Sequence, residues 1–473
     1  MSDFKITDYG AIADGVTNNA VAIMLAIEAA NAAGGGRVVI PSGGEFLSGS
    51  LQLKANVELH LEKDAVLRAS GDYVDYSHEH SIDFITSGTV VEDVLPRRAF
   101  ISAFQAHNCR ITGEGEINGN AEAFIAERGR YINEMRGPVG GKSQYLERPF
   151  TIFIIESEGL VLENFTLQDP AFWAIRTTGC HNVMINGIHI LTDLMVPNAD
   201  GIDIDRCQNV QILNCELITA DDCISLKSCA GTSQYGLVEN VLISNTYMKS
   251  TSGAITLGTE ACGDIRNVLV TDCRVEDSHR GFAVRPREGG TVSNVLFTNC
   301  TISTRAFSES WWGHGEAIHV TASSWDHPQG TTDGNPERLL EGRVDGVRFV
   351  NLEVHTEAAV LLWASHPDLI KNVELDRVHI HMDQTSKWPP RIDLRPNGEI
   401  NFIREAPSAL TMINVESVSI TNSDISWLET TRSKYKSALQ IVNVQNFVKH
   451  NFEFESPTNG VLEPVTNFAQ TEN

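Results

Sequence analysis

The sequence predicts an all-β protein: a single-stranded right-handed parallel β-helix with a helical cap at its N-terminal end and long loops on its rim. Three observations predict it. A short alternating segment recurs along the chain, each copy opened by Asn, Gly or Ser. The spacing of the copies is too short for strand–helix–strand units and fits one coil of several short strands. No helical periodicity separates the copies, which sets aside a leucine-rich horseshoe.

The copies begin at Asn56-Val57-Glu58-Leu59, Asn108-Cys109-Arg110-Ile111, Gly159-Leu160-Val161-Leu162, Asn182-Val183-Met184-Ile185 and Asn209-Val210-Gln211-Ile212. They continue at Asn240-Val241-Leu242-Ile243, Asn267-Val268-Leu269-Val270, Asn294-Val295-Leu296-Phe297, Gly346-Val347-Arg348-Phe349, Asn372-Val373-Glu374-Leu375 and Ser417-Val418-Ser419-Ile420. From Leu160 to Val295 the intervals are 23, 27, 31, 27 and 27 residues. Each copy alternates apolar and polar residues, as a half-buried strand does. Asn at the opening suits a turn in the left-handed backbone region and can hydrogen-bond to a stacked neighbour. An open first coil exposes core and strand edge, so it needs a cap. The apolar stretch Ala20 to Ala33, broken by Glu28, predicts an amphipathic helix over about 17–33 that supplies it. The coils are expected over 1–455, the cap and first coils over about 1–70, and 456–473 reads as a polar tail. Insertions at about 68–100, 120–147, 303–342 and 381–409 interrupt the repeat, and loops of that length are commonly functional.

The 473 residues carry 36 Lys and Arg against 61 Asp and Glu, a net charge of −25. That balance argues against nucleic acid or an anionic membrane as a partner, since both need a basic face. No apolar run is long enough to span a bilayer. The first residues lack the basic and apolar regions of a secretion signal, so a cytoplasmic location is expected. Nine cysteines, without the paired spacing of a zinc site, read as buried free thiols.

The densest carboxylate group lies in neighbouring coils. Asn198-Ala199-Asp200 is followed by Asp221-Asp222, 21 residues after Asp200, about one coil on. Stacking would put these carboxylates roughly 5–8 Å apart on one face, where repulsion of about 3 kcal/mol per pair lets one keep its proton while another is ionised. That division suits glycosidic cleavage. A turn or a calcium site would use the same residues, and Asp203 and Asp205 can point outward into solvent. The guanidinium of Arg285 suits a carboxylate or vicinal hydroxyls. Surface ion pairing is the plain alternative for it, as for Arg287 and Arg176. Lys227 can partner a catalytic carboxylate or a structural one. Trp311 and Trp312, beside His314 and Glu316, offer either a sugar-stacking platform or core packing. His314 itself reads as structural.

Here the chain resembles the polygalacturonase family, glycoside hydrolase family 28, whose fold is the pectin-lyase-like right-handed parallel β-helix. The resemblance rests on Asn198-Ala199-Asp200 and Asp221-Asp222, on Asp8-Tyr9-Gly10-Ala11 with Asp14-Gly15-Val16-Thr17-Asn18, and on Val39-Ile40-Pro41-Ser42-Gly43. Asp169-Pro170-Ala171-Phe172-Trp173, Trp312-Gly313-His314-Gly315-Glu316 and Ser386-Lys387-Trp388-Pro389 extend it over nearly the whole chain. It implies an inverting hydrolase without metal or cofactor. Asp221 would be the general acid, with Asp200 and Asp222 activating water. Substrate contacts would come from Asn198, Trp173, Arg176, Lys227, Ser252, Arg285, Trp312 and Glu316. Two family motifs are altered. Where the family has Gly-His-Gly, this chain has Ser252-Gly253 and no histidine. Where it has Arg-x-Lys, this chain has Ala283 and Arg285. Rhamnogalacturonan hydrolases of the family share such changes and accept a neutral sugar on the leaving-group side. The expected substrate is therefore an acidic pectic oligosaccharide of the rhamnogalacturonan type, cut in exo mode if the insertions close one end of the cleft. A lyase or epimerase on the same coil, or a glycan-binding β-helix, are the rival readings.

Overall fold

The structure, a computed structural model, describes residues 2–76, 98–124, 148–308, 311–324, 340–395, 402–403 and 406–457. Most of the predicted insertions at 68–100 and 120–147, parts of those at 303–342 and 381–409, and the tail beyond 457 lie outside the described residues. The chain falls into two compact units, Met1–Ile224 with Gly231–Leu242, and Ser225–Ala230 with Ile243–Asn473. Both are stacks of parallel strands.

In the first unit, Gly36–Ile40 pairs in parallel with Val57–Leu61, then come Arg110–Gly113, Val161–Glu163, His181–Asn186 and Gln208–Leu213. The register aligns Val38, Leu59, Ile111, Leu162, Ile185 and Ile212 in one buried column. Alternation decides this, because a slip of one residue would turn every apolar side chain outward. In the second unit Val268, Val295, Val347, Val373 and Val418 form the same kind of column. Phe282, Phe297 and Phe349 stack beside it with ring centres 4.6 and 5.1 Å apart.

The corner asparagines behave as the repeat predicts. Asn56, Asn108, Asn182, Asn209, Asn240, Asn267, Asn294 and Asn372 all have φ between 50° and 60°. Each inward neighbour in the column is thereby turned into the core. Their amides also bond along the stack, Asn209 to Asn182 and Asn240 to Asn209 at 3.1 Å, and Asn294 to Asn267 at 2.8 Å. Gly159, at φ 73°, replaces Asn where a Cβ would stand 2.7 Å from the Asn108 side-chain oxygen.

The cap helix spans Ala20–Ala32 and buries Ile23, Ala26, Ile27 and Ala30, one face at helical spacing. It packs on the strands Asp3–Lys5, Gly36–Ile40 and Leu51–Leu53. All nine cysteines are free thiols, and all but Cys262 are buried. No helix among the described residues is long and apolar enough to cross a membrane.

Candidate active site

Backbone pairing brings the three aspartates of the first unit together. Gly201 N donates to Asp222 O and Ile202 N to Cys223 O, both at 2.9 Å, so the coil holding Asp200 lies directly against the Asp221–Asp222 turn. Gly201 permits that approach, since a Cβ there would sit 2.4 Å from Cys223 O. One carboxylate oxygen from each of Asp200, Asp221 and Asp222 lies within 4.8 Å of the others. That matches the spacing of neighbouring coils, about 4.8 Å, and lies just below the roughly 5–8 Å expected from stacking. Asp200 and Asp221 are buried and Asp222 half-buried. At 4.8 Å and an effective dielectric of about 20, each ionised pair repels by about 3 kcal/mol. Such a group can hold a proton on one member beside a charge on another, which general acid–base chemistry requires.

Asn198 shapes the approach to Asp200. It is half-buried at φ 55°, and its Oδ1 accepts from Arg148 Nη2 at 3.0 Å. Arg148 Nη1 donates to Ala171 O at 3.2 Å and Pro197 O at 2.5 Å, clamping the turn. Arg148 directly follows the predicted insertion 120–147, and nothing in its neighbourhood marked it out.

Several expectations need correction. Arg176 is neither on the surface nor open to a substrate: it has no exposure and pairs with Asp205 at 2.9 Å, an ion pair inside the wall. Its guanidinium lies 4.9 Å from the Trp173 ring centre. Asp203 and Asp205, readable as outward turn residues, are fully buried, and Thr232 Oγ1 donates to Asp205 at 3.0 Å. Trp173 stacks on Phe172 at 5.4 Å within the cluster of Phe150, Phe153 and Ile155, so packing holds it.

The remaining candidates belong to the second unit. Lys227, 6% exposed, pairs with Glu260 at 3.1 Å, the structural alternative for it. Ser252 is buried, its N–H donating to Ser250 Oγ at 2.7 Å. Arg285 keeps 5% exposure and donates to the Arg395 carbonyl, and Arg287 has none and donates to Thr321 O and Oγ1. Neither is a surface ion pair. Glu316 is fully buried and accepts from Asp393 N at 2.7 Å and His314 N at 2.6 Å, so it organises this region from inside rather than meeting a substrate. Trp312 is half-buried under the Arg395 guanidinium, 5.1 Å from its ring centre, while Trp311 is buried. His314 is buried and bonds to Pro389 O at 3.0 Å, as its structural reading expects.

Asp393 links this region. It pairs with Arg280 at 3.1 Å and Arg395 at 2.8 Å. Burial by itself would raise its carboxyl, but the charges of Arg395 and Arg280 and the hydrogen bonds from Arg395 hold it well below the usual carboxylate range. His279 lies one coil beyond Ser252, since Gly253 pairs with Arg280, and its Nδ1 is 3.0 Å from Thr251 O. Desolvation, with His314 nearby, pulls this imidazole down to about 3. Adding one coil of 27 residues to position 252 would have found His279. Asp393 and Arg395 come from an insertion that carries no repeat signal.

The family model for glycosyl hydrolases family 28 matches residues 35–307, more than half of the chain. The chain belongs to that family. A probable polygalacturonase of Vitis vinifera is 30% identical over 239 residues, 49% of this chain and 45% of the relative. An exo-poly-alpha-D-galacturonosidase of Dickeya chrysanthemi is 25% identical over 288 residues, 54% of this chain and 47% of the relative. The chain thus spans about half the length of the curated relatives it matches. The family 28 exopolygalacturonase of Yersinia enterocolitica has a TM-score of 0.63 at 20% identity, over 96% of this chain and 78% of that one. The hyperthermoactive exopolygalacturonase of Thermotoga maritima has a TM-score of 0.59 at 19% identity, over 96% and 91%. The fold is accordingly the right-handed parallel β-helix that the repeat predicts.

Proposed function

We propose that this family 28 chain hydrolyses an α-glycosidic bond in an acidic pectic oligosaccharide with inversion at the anomeric carbon. The meeting of Asp200, Asp221 and Asp222 within 4.8 Å carries the reading. Asp221 protonates the leaving oxygen, and Asp200 and Asp222 hold and deprotonate the attacking water. A two-carboxylate site this tight would favour retention. The third carboxylate supports inversion, because a pair can cradle water while the other member acts as acid.

The leaving-group sugar is neutral in this proposal, as in a rhamnogalacturonan-type chain, cut in exo mode. Its support is Ala283 at the family's arginine position and Ser252 or Gly253 at its histidine position. The free thiols suit a cytoplasmic enzyme acting on imported fragments. The names of the curated relatives favour galacturonan instead. A panel of pectic oligosaccharides, assayed with chelator for wild type and Asp221→Asn, separates these. New reducing ends from rhamnogalacturonan fragments, lost in the variant, support the proposal. Activity confined to polygalacturonan overturns the neutral-sugar part, and a β-configured first product by NMR establishes inversion. The same aspartates could seat a cation, so activity lost to chelator, with an ultraviolet-absorbing unsaturated product, would point to a lyase.

A further inference from the structure

We propose that Glu353, His355 and His381 form a binding site for a borderline divalent transition cation of the zinc type, on the outer sheet face of the second unit and independent of the hydrolase reading. The three residues converge because of strand register. On Arg343–Thr356, Glu353 and His355 flank the buried Val354, so both point outward. On Ile370–Met382, His379 and His381 flank the buried Ile380 in the same way. The parallel pairing sets Glu353 beside His379 and His355 beside His381.

The side chains then close on one another. His381 Nε2 is 2.8 Å from Glu353 Oε1, and His355 Nε2 is 3.8 Å from the same oxygen. The two imidazoles stack with centres 4.9 Å apart and planes 26° from parallel. One ligand atom from each of the three lies within 4.8 Å of the others. Ligands about 2.1 Å from a tetrahedral metal stand roughly 3.4 Å apart, so a shift of about an ångström in surface side chains would close the site. Two imidazoles and a carboxylate favour zinc, cobalt, nickel or copper over magnesium or calcium. The other ring nitrogen of His381, Nδ1, is 2.5 Å from Ser426 Oγ on the next strand. That is the outer contact a metal-bound imidazole uses to fix its ring. His355 and His381 keep side-chain exposures of 54% and 37%, leaving room for water at a fourth position. His379, next in the row, bonds to Asp424 and is not part of the site.

Cobalt titrated into chelator-stripped protein should give the visible absorption of a tetrahedral site with imidazole ligands, at one equivalent per chain. Zinc at a hundredfold over its Kd should raise the melting midpoint by about 2–4 °C through linkage to the folded state. Both effects should vanish in His355→Ala, His381→Ala and Glu353→Gln, and persist in His379→Ala. These are surface positions, and the midpoint without metal reports whether each variant folds. Saturable binding that survives all three substitutions, or no cobalt spectrum in the wild type, overturns the proposal.

Discussion

Around Asp393, carboxylate and guanidinium alternate: its oxygens meet Arg280 and Arg395, while Arg280 also lies 3.8 Å from Glu316. Around Asp200, by contrast, carboxylate meets carboxylate. Asp393, Asp200 and Asp221 are all buried, and buried carboxylates are expensive to remove from water. The first offsets its cost with opposite charge and serves as scaffold, as does the Arg176–Asp205 pair. The second brings three carboxylates together, the arrangement that the proposed proton transfer uses.

The contrast breaks most easily at the aspartates. Asp221→Asn should lower kcat by about 10²–10⁴-fold while leaving the urea midpoint unchanged or higher, because it removes repulsion. A variant that loses stability instead would make this group scaffold too. Asp393→Ala should do the reverse. It removes the carboxylate that both Arg280 and Arg395 pair with, and urea unfolding should register a loss of about 3–5 kcal/mol.

Protons sharpen the comparison further. His279 and His319 are both buried neutral: desolvation is the main cause for each, with His314 adding to the first and Arg280 and Arg285 to the second. Unfolded, each takes a proton near 6.5. The unfolded state therefore binds more protons below that pH, and stability falls as pH drops below about 6.5, for His279 down to about 3. Each histidine contributes a slope of up to about 1.4 kcal/mol per pH unit. Unfolding measured at pH 7, 6 and 5 should show this slope, shallower in His279→Gln. Asp393 adds stability that is present above about 3.9 and is lost only as pH falls further. The smallest effect belongs to the corners: Asn209→Ala, at φ 57°, should cost about 1–2 kcal/mol by the same measurement, and Asn209→Gly less.

The coils were legible because periodicity, alternation and the corner asparagine all report the same geometry. The aspartate trio was legible because one coil separates its members, and stacking turns sequence distance into proximity. Burial was not legible. Arg176, Arg287 and Glu316 read as surface or substrate groups, because their partners Asp205, Thr321 and Asp393 are set by register or by an insertion outside the repeat. Arg148 and Arg395 were missed for the same reason.

The corner asparagines have a consequence for how such a chain can change length. Each coil begins by resetting the backbone at a fixed point, so whole coils are interchangeable units. A deletion of one coil leaves the faces of the rest in phase, while a deletion of a single strand residue inverts them. Segments added between a corner and the next strand disturb neither column. Length changes that keep both faces in phase are therefore whole coils or segments added at a corner.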